Sequence, residues 1–296
     1  MPTRTEPFPD EPLAKLPERA REGHKADFGR ILLLAGSSAY AGAAILCGKS
    51  AARSGAGLVT LAVPATAASA LRGKAPHLIL RSLPENHEGE VAFTALRQLR
   101  ALMAESDVFV AGPGLGTSDI ESLRELLTRC LLSFDGPALL DASALRAFSA
   151  DGLGVIQHDR RSALVLTPHL GEAAHLLGID TQSIRRNPRE AAVSLSAITR
   201  CVVVLKSHRT LIAVGERIVR NETGNDGLAT AGTGDVLSGC IGALLARPLS
   251  AFDAARLGVH IHGLAADQWA RSRGRSGLVA TDLSSRLAMV FAKLET

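Results

Sequence analysis

Short apolar runs alternate along the chain with longer runs in which small or apolar residues recur at helical spacing. The short runs have no polar face, which is the pattern of strands covered on both sides of a sheet. The segments predicted as buried strands are Arg30–Ala35, Leu58–Val63, Asp107–Ala111, Ala138–Asp141, Ala163–Thr167 and Cys201–Lys206.

The longer runs predict helices at about Ala43–Ser54, Gly234–Ala246, Ala251–Arg271 and Thr281–Leu294. Alternation of strands and helices implies an α/β fold with a mainly parallel sheet covered by helices. Ligands of such sheets bind at the carboxyl ends of the strands. We therefore expect the functional site where polar and glycine-rich segments follow the strands.

Other segments define the organisation of the domain. The apolar runs Thr210–Val214 and Arg217–Asn221 flank two residues, Gly215 and Glu216, and predict a hairpin with a two-residue turn.

The polar segment Ile179–Arg189 is expected to be an exposed loop. Residues 1–25 are expected to be a loosely attached arm, and residues 26–296, which contain no internal repeat, a single domain.

The charge balance limits the classes of ligand. The chain has 33 Lys and Arg residues against 29 Asp and Glu residues, a net charge of +4 over 296 residues, and 3% aromatic residues. Nucleic-acid binders concentrate basic charge and offer aromatic rings to the bases, so no nucleic-acid partner is expected.

The chain also shows no sign of a membrane or secretory context. No segment supplies the ~20 continuous apolar residues that span a bilayer, and the N-terminus lacks the apolar core of a signal peptide. The four cysteines (Cys47, Cys130, Cys201 and Cys240) form no CxxC pair. So few cysteines in a long chain are typical of a reducing compartment, and we expect a cytoplasmic protein.

The most informative segment is Asn221–Gly239, NETGNDGLATAGTGDVLSG, which is rich in glycine and leads into an apolar helix. Glycine lets the backbone approach a phosphate, and the free amides at a helix N-terminus favour negative charge. The alternative is structural: Asp235 complements the helix dipole, and the GTG residues form a tight turn.

Several segments together resemble one family. The GTGD sequence resembles the anion-hole signature of the ribokinase-like superfamily. The blocks AGPGLG, LLDASAL, LTPHLGEAAHLLG and VVVLKSHRTLIA, preceded by HK…FGR and AGSSAYAGAAILCGKSAARSGAGLVTLAVP, resemble the NAD(P)H-hydrate dehydratases in their order. The resemblance covers about residues 24–292 and implies a ribokinase-like, three-layer α/β/α fold with a mainly parallel central sheet.

The resemblance also implies roles for individual residues. Asp235 would be the catalytic base and would contact the substrate, and Gly232, Thr233 and Gly234 would form the anion hole. The other residues implied to bind substrate are Ala43, Gly114, Gly116 and His169, and those implied to bind the nucleotide are Lys206, Ser207, His208, Arg209, Thr210, Asn225 and Gly232.

The implied reaction repairs the S-epimer of NADH or NADPH that has gained water at the C5–C6 bond. ADP or ATP phosphorylates the C6 hydroxyl, and phosphate then leaves with help from the ring nitrogen. Such chemistry needs a base, a phosphoryl cradle and Mg²⁺. ADP is the expected donor, because the single-domain form resembles bacterial members. The family also implies a homo-oligomer, with a tetramer expected.

For other polar residues, structural and functional interpretations remain open. Lys206 is either a nucleotide ligand or a strand-end lysine with its amine in water. Asp141 either reaches Mg²⁺ through water or caps the next helix. Glu172 has the first-turn position that suits an acid in a helix. His260 and His262 lie two apart on a predicted helix and make a poor metal pair.

Three positions depart from the family pattern. Ser143 replaces the second acid of LDADAL, Ser207 replaces the glycine of a KG pair, and Asp226 replaces the proline of TGNPG. A negative charge at Asp226 should oppose nucleotide binding unless the carboxylate points away or reaches Mg²⁺. No metal ligand can be assigned.

Two other functions are compatible with parts of the pattern. One is a ribokinase-like small-molecule kinase of the hydroxyethylthiazole or hydroxymethylpyrimidine type, which shares the GxGD helix. The other is a catalytically inactive nucleotide-binding sensor, suggested by Ser143 and Asp226.

Overall fold

One twisted sheet organises the chain. The computed structural model describes residue 8 and residues 11–295. The strands within those residues are β1 Arg30–Leu34, β2 Leu58–Pro64, β3 Ile79–Leu83, β4 Val108–Ala111, β5 Ala138–Leu140, β6 Leu164–Leu166, β7 Val202–Leu205, β8 Leu211–Val214 and β9 Arg217–Arg220.

Twelve α-helices connect and cover these strands in the described part of the chain. They are α1 Ala41–Arg53, α2 Ala65–Leu71, α3 Leu96–Ala104, α4 Ile120–Leu132, α5 Ser143–Arg146, α6 Ala150–Asp159, α7 Leu170–Leu177, α8 Thr181–Arg186, α9 Pro188–Thr199, α10 Thr233–Leu245, α11 Ala251–Arg273 and α12 Ala280–Leu294. Short 3₁₀ turns lie at Lys25–Phe28, Phe93–Ala95 and Asp226–Leu228.

The strand order is β3-β2-β1-β4-β5-β6-β7-β8-β9. The strands β1 to β7 pair in parallel, and β8 and β9 continue the sheet antiparallel. In the β8–β9 hairpin Val214 pairs with Arg217, which leaves Gly215 and Glu216 as the turn and confirms that prediction. The mainly parallel sheet was also predicted correctly.

Both faces of the sheet are covered, because successive side chains of a strand point to opposite sides. Ile31 and Leu33 of β1 pack with α1, α2, α10, α11 and α12, and Leu32 and Leu34 pack with the helices from α3 to α9. The result is a three-layer α/β/α arrangement, as the resemblance implied.

Close backbone contact between α1 and α10 fixes the position of the helix that begins with the GTGD residues. A Cβ at position 239 would lie 2.1 Å from the carbonyl oxygen of Cys47, so only glycine fits there. One turn earlier, the buried hydroxyl of Ser50 donates to the carbonyl of Val236. These contacts hold the first turn of α10 against α1.

The prediction of a loop over residues 179–189 is wrong. Asp180 caps α8 by accepting a hydrogen bond from the amide of Ser183 at 2.9 Å, and Pro188 begins α9. Both are recognised start signals of helices. Burial of Ile184 then anchors this polar segment to the core.

The described part of the N-terminal arm is held by specific contacts, contrary to the loose attachment expected over these residues. Leu13 and Leu16 pack against the core. Glu11 forms an ion pair with Arg217 at 2.7 Å, and Arg256 donates to the carbonyl of Pro12 at 2.8 Å. Residues 1–7, 9 and 10 of the predicted arm lie outside the described residues.

Two further expectations concern the whole chain. Each of the four cysteines is buried and free. Among the described helices, none combines the length and apolar character needed to cross a bilayer.

Candidate active site

An acid–lysine–acid arrangement lies where three parts of the chain meet. Asp141 follows β5, Lys206 follows β7, and Asp235 lies in the first turn of α10. The Nζ atom of Lys206 lies 2.6 Å from Oδ1 of Asp141. Asp141 and Lys206 lie at the carboxyl ends of parallel strands, where the sequence predicts the site.

The hydrogen-bond partners of Asp141 show whether this residue caps the next helix. Its second oxygen, Oδ2, accepts a hydrogen bond from the hydroxyl of Ser238 at 2.7 Å. The residue is 1% exposed, and α5 has no side-chain cap. Asp141 is therefore not a helix cap. Lys206 likewise does not extend its amine into water, because its side chain is 20% exposed and paired.

Burial and neighbouring charges change the proton affinity of Asp235. Burial raises the pKa of this carboxyl, the negative charge of Asp141 raises it further, and Lys206 opposes both, leaving the pKa at about 7. The pKa of Lys206 is raised as well, since Asp141 and Glu172 outweigh the effect of its burial. Asp235 can thus change protonation near neutral pH, as a general base requires.

The start of α10 has the conformation expected for an anion hole. Gly232 is the N-cap, with φ +86°. The Gly234 backbone lies beside the lysine, since a Cβ there would be 3.5 Å from Lys206 Nζ. The amide of Thr233 donates to the carbonyl of Thr230 at 3.4 Å, a long hydrogen bond that an anion would have to replace.

His262 supports this turn from α11. Its Nε2 donates to the carbonyl of Thr233 at 2.9 Å. Burial lowers the pKa of the imidazole to about 4, so the ring is neutral. The sequence suggests no role for His262 other than that of a poor metal ligand. In the structure it contacts the backbone of the predicted anion hole instead.

A cavity of about 570 Å³ adjoins the same helix start. Of the residues predicted to bind the nucleotide, Arg209 and Gly232 are absent from the described lining; the exposed Arg209 guanidinium pairs instead with Glu222 at 3.5 Å. The predicted site residues that line the cavity are His169, Lys206, Ser207, His208, Thr210, Asn225, Thr233 and Gly234.

Asp267 positions the loop that carries Asn225. Asp267 on α11 accepts hydrogen bonds from the Gly224 amide and from the Asn225 side chain, both at 2.8 Å. Asp226, the residue that departs from the family pattern, pairs with Arg275 at 3.0 Å on the surface. The expected repulsion of a nucleotide is therefore offset by a neighbouring cation.

His169 and Glu172 explain the TPHLGE sequence in structural terms. Nδ1 of His169 accepts from the amides of Gly171 and Glu172 at 3.0 and 3.1 Å, and the Glu172 carboxylate accepts from the His169 amide at 2.8 Å. This is a capping box at the start of α7. The imidazole remains about half exposed and lines the cavity.

The other predicted substrate residues form a second group. Gly114 has φ +68°, and a Cβ there would lie 2.8 Å from both the Ala43 Cβ and the Tyr40 carbonyl oxygen. Gly116 also has positive φ, +83°, and faces the Glu90 carboxylate. Positive φ favours glycine at both positions, and close packing against the Tyr40 backbone also requires it at Gly114.

This second group is next to the acid–lysine–acid arrangement. Leu46 lies three residues after Ala43, on the same side of α1. A Cβ at Gly232 would be 2.6 Å from Leu46 Cδ1. One helix therefore connects Ala43 to the helix start that carries Asp235.

Three contributors to the site were not predicted: Ser238, Glu172 as a neighbour of Lys206, and Asp267. Ser238 had a detectable signal, because it follows Asp235 by three residues and so shares its helix face. The Glu172 Oε2 atom lies 3.9 Å from Lys206 Nζ. Asp267 is separated from Asn225 by 42 residues, and no local pattern connects them.

No group of three or more His, Cys, Asp or Glu side chains in the described residues is arranged to hold a metal. Both oxygens of Asp141 are occupied by Lys206 and Ser238. Ser143, at the position of the family's second acid, supplies no carboxylate. Mg²⁺ is commonly bound by one or two carboxylates together with substrate phosphates and water. The residues of this site therefore fit an ion that arrives with nucleotide phosphates better than an ion held by the protein alone.

Comparison with known proteins agrees with this geometry. A sequence model of the NAD(P)H-hydrate dehydratases matches residues 31–288. The bifunctional NAD(P)H-hydrate repair enzyme Nnr of Moorella thermoacetica is 40% identical over 285 residues, which are 95% of this chain and 53% of that protein. The chain thus spans about half the length of several curated relatives that it matches.

Relatives of similar length are also found. The ADP-dependent (S)-NAD(P)H-hydrate dehydratase of Neisseria meningitidis is 36% identical, over 90% of this chain and 86% of its own. The crystal structure of the ADP/ATP-dependent NAD(P)H-hydrate dehydratase of Bacillus subtilis, co-crystallized with ATP/Mg²⁺, superimposes with a TM-score of 0.82 at 30% identity and covers 95% of each chain.

The sheet order, the two helical layers and the glycine start of α10 define a ribokinase-like fold. Within that superfamily the match extends through nearly all of the domain. The chain belongs to the NAD(P)H-hydrate dehydratase family, which confirms the resemblance found in the sequence.

Proposed function

We propose that this chain dehydrates the S-epimer of hydrated NADH or NADPH, with ADP as the phosphoryl donor. The observation that carries the proposal is Asp235: a carboxylate with a pKa of about 7, at a glycine helix start beside Lys206 and a cavity of nucleotide size. Membership of the family supplies the substrate class.

In the first step, the hydroxyl at C6 of the hydrated ring attacks the terminal phosphorus of the donor. Asp235 accepts the hydroxyl proton as the O–P bond forms, and the bond from phosphorus to the donor nucleotide breaks. The transferred group would lie at the start of α10, near the Gly232 and Gly234 amides, where the helix dipole and Lys206 stabilise negative charge.

In the second step, the C6–O bond breaks and the oxygen leaves as part of phosphate. The lone pair of the ring nitrogen supplies the electrons, and transfer of a proton from C5 to the departing phosphate restores the C5–C6 double bond. His169 is proposed to orient the ring, because its imidazole borders the cavity and is fixed by the capping box. Substrate and donor would then meet at Asp235.

Mg²⁺ is proposed as a companion of the nucleotide, where it neutralises phosphate charge. The residues that would approach such an ion are those of the cavity next to Lys206 and the loop at Asn225. ADP is preferred as donor because the similar dehydratases of Neisseria meningitidis and Xanthomonas campestris are ADP-dependent. The Bacillus subtilis relative, described as ADP/ATP-dependent, makes ATP the second candidate.

The test is an absorbance assay with hydrated NADH, Mg²⁺ and either ADP or ATP. We expect NADH absorbance to recover, with phosphate released in equal amount and with ADP faster than ATP. A stable phosphorylated product without NADH would instead establish a small-molecule kinase. Nucleotide binding in calorimetry without any turnover would establish a sensor, and either result would refute the proposal.

Assembly and location are proposed from the family resemblance. We propose a cytoplasmic homo-oligomer, with four copies, whose partners are the small molecules named above. Light scattering coupled to size-exclusion chromatography gives the mass directly; a value near 30.9 kDa, that of one chain, would refute the oligomer.

A further inference from the structure

A second cavity, of about 350 Å³, lies beside the predicted substrate residues. It is lined by Thr117, Ile120, Arg146, Gly171 and His175. Thr117 directly follows Gly116, and Gly171 lies two residues after His169. The cavity therefore opens between the two segments that the family resemblance assigns to the substrate, whereas the 570 Å³ cavity is on the Lys206 side of His169.

The lining residues of this second cavity favour an anion, and the adjacent Glu90 carboxylate is held by a hydrogen bond from the Thr117 amide at 3.1 Å. None of its five lining residues is acidic. The exposed guanidinium of Arg146 has no ion pair or hydrogen bond within the described range of the chain. The nearby carboxylate of Glu172 is turned away, toward the backbone of His169 and toward Lys206.

The first turns of two helices border the same place, since Ile120 is the first residue of α4 and Gly171 is the second residue of α7. Acids of the chain already meet the partial positive charge of both helix ends: Asp119 and Glu121 at α4, and Glu172 at α7. The positive charge available to a ligand is therefore that of Arg146. Arg146 ends α5, and its carbonyl accepts a hydrogen bond from His175 Nε2 at 3.0 Å, so the backbone that carries the guanidinium is held in position.

The substrate is much longer than the ring that reacts. A nicotinamide dinucleotide extends well beyond its reacting ring and carries a diphosphate, and NADPH carries an additional 2′-phosphate. If the ring lies at His169 and Asp235, and the donor fills the cavity at Lys206, the rest of the substrate must leave on the other side of His169. The second cavity is on that side.

We propose that Arg146, held in position by His175 and next to Thr117, forms a subsite for a phosphate group of the dinucleotide substrate. The subsite rests on the proposed function for the identity of its ligand. Arginine suits this role, since its planar guanidinium makes paired hydrogen bonds to phosphate oxygens. Arg146 would thus contribute to substrate affinity without taking part in the chemical steps.

The test is steady-state kinetics of Arg146→Gln with hydrated NADH and hydrated NADPH. We expect KM for the dinucleotide to rise tenfold or more, with kcat and KM for ADP within twofold of the wild type. A rise with both substrates identifies the diphosphate, and a rise with hydrated NADPH alone identifies the 2′-phosphate. Unchanged KM values for both substrates would overturn the subsite.

Two variants control for structural effects. Arg124→Gln removes a charge from α4 at an exposed position outside the lining and should leave KM unchanged. Arg146→Lys keeps the charge and should restore part of the affinity. The contact with His175 uses the main-chain carbonyl of residue 146, so it is retained in every variant at this position.

A binding measurement separates the subsite from the proposed reaction. Calorimetric titration of NADH and NADPH requires no turnover, and we expect weaker binding of at least one of them to Arg146→Gln than to the wild type. If the wild type fails to restore NADH but this difference is found, the reaction is refuted and the subsite stands. Equal binding by both proteins refutes the subsite alone.

Discussion

Lys206 and Asp141 form an ion pair across the carboxyl ends of β7 and β5, with a distance of 2.6 Å between Nζ and Oδ1. β6 lies between these strands in the sheet. The pair brings opposite charges to Asp235: the carboxylate of Asp141 raises its pKa and the amine of Lys206 lowers it. The same two residues therefore stabilise the end of the sheet and tune the proposed base.

Asp235→Asn should abolish turnover while leaving nucleotide binding largely intact. The amide retains the shape of the side chain but cannot accept a proton, and loss of a general base costs about 10²- to 10⁴-fold in rate. The NADH recovery assay measures the rate, and calorimetry with ADP measures binding. Asp282→Asn, which changes another first-turn acid on α12, is the matched control. An active Asp235→Asn protein would exclude this residue as the base.

The rate should increase with pH through about 7, because Asp235 must be ionised to act as a base. Stability should change in the opposite direction. The folded-state pKa lies above the ordinary aspartate value of 3.8, so the folded protein binds more protons than the unfolded chain between about pH 4 and 7. Stability is therefore lost as the pH rises through this window.

Asp235→Asn removes that penalty. At pH 8 the variant should be more stable than the wild type by about 4 kcal/mol, given a pKa raised from 3.8 to about 7 and ~1.4 kcal/mol per pKa unit, and the difference should disappear below pH 4. Urea unfolding at several pH values measures it. Equal pH profiles of the two proteins would contradict an elevated pKa.

Lys206→Met should destabilise the fold strongly. The substitution leaves Asp141, 1% exposed, with Ser238 as its remaining side-chain partner. Breaking one side of a buried pair costs about 3–5 kcal/mol. Adding Asp141→Leu should recover part of the loss, since the buried carboxylate that the lysine paired most closely is then absent. A double-mutant cycle by urea unfolding tests this, and strictly additive effects would mean that the two residues do not interact.

Gly232→Ala should reduce both stability and turnover. The residue has φ +86°, and its added Cβ would lie 2.6 Å from Leu46 Cδ1 and 3.1 Å from Ala280 Cβ. Backbone strain alone costs about 1–2 kcal/mol, and displacement of the anion-hole amides should lower kcat further. Gly178→Ala has φ +65° with no atom within 4 Å, so it isolates the strain. Equal kcat in both variants would show that Gly232 has no specific role in catalysis.

Asp226→Pro should be tolerated. Position 226 begins the short 3₁₀ turn, where a missing amide hydrogen costs little. The preceding residue, Asn225, is already extended at φ −144° and ψ 177°, as a residue before proline must be. The lost ion pair with Arg275 is on the surface and worth less than ~1 kcal/mol. Melting temperature and ADP affinity should stay close to wild type, and a large loss of either would show that Asp226 has a role of its own.

Local patterns were sufficient to predict much of the sheet and the beginning of α10. Buried strands such as Val202–Leu205 have no polar face, and the GTGD residues combine a positive-φ glycine with an acid in a first helical turn. The edge strand Ile79–Leu83 escaped prediction, because Arg81 and Ser82 face solvent and interrupt its apolar run.

Long-range partners escaped prediction for a different reason. Asp141 and Lys206 were each noticed as polar residues after a strand, but 65 residues separate them, and their pairing depends on the order of the strands. The position of Arg275 beside Asp226 likewise follows from how α11 ends, which no local signal near Asp226 reveals. Only the assembled sheet brings such residues together.

The order in which the chain is synthesised has a consequence for this site. Asp141 and Lys206 leave the ribosome first. Ser238 donates a hydrogen bond to Asp141 but lies 97 residues later in the chain, and it emerges together with Asp235, which is on the same helix. A nascent chain that stops before residue 232 has the lysine and its partner but neither the proposed base nor the hydroxyl. Catalytic competence is therefore among the last properties that the growing polypeptide acquires, and a C-terminal truncation should remove it completely.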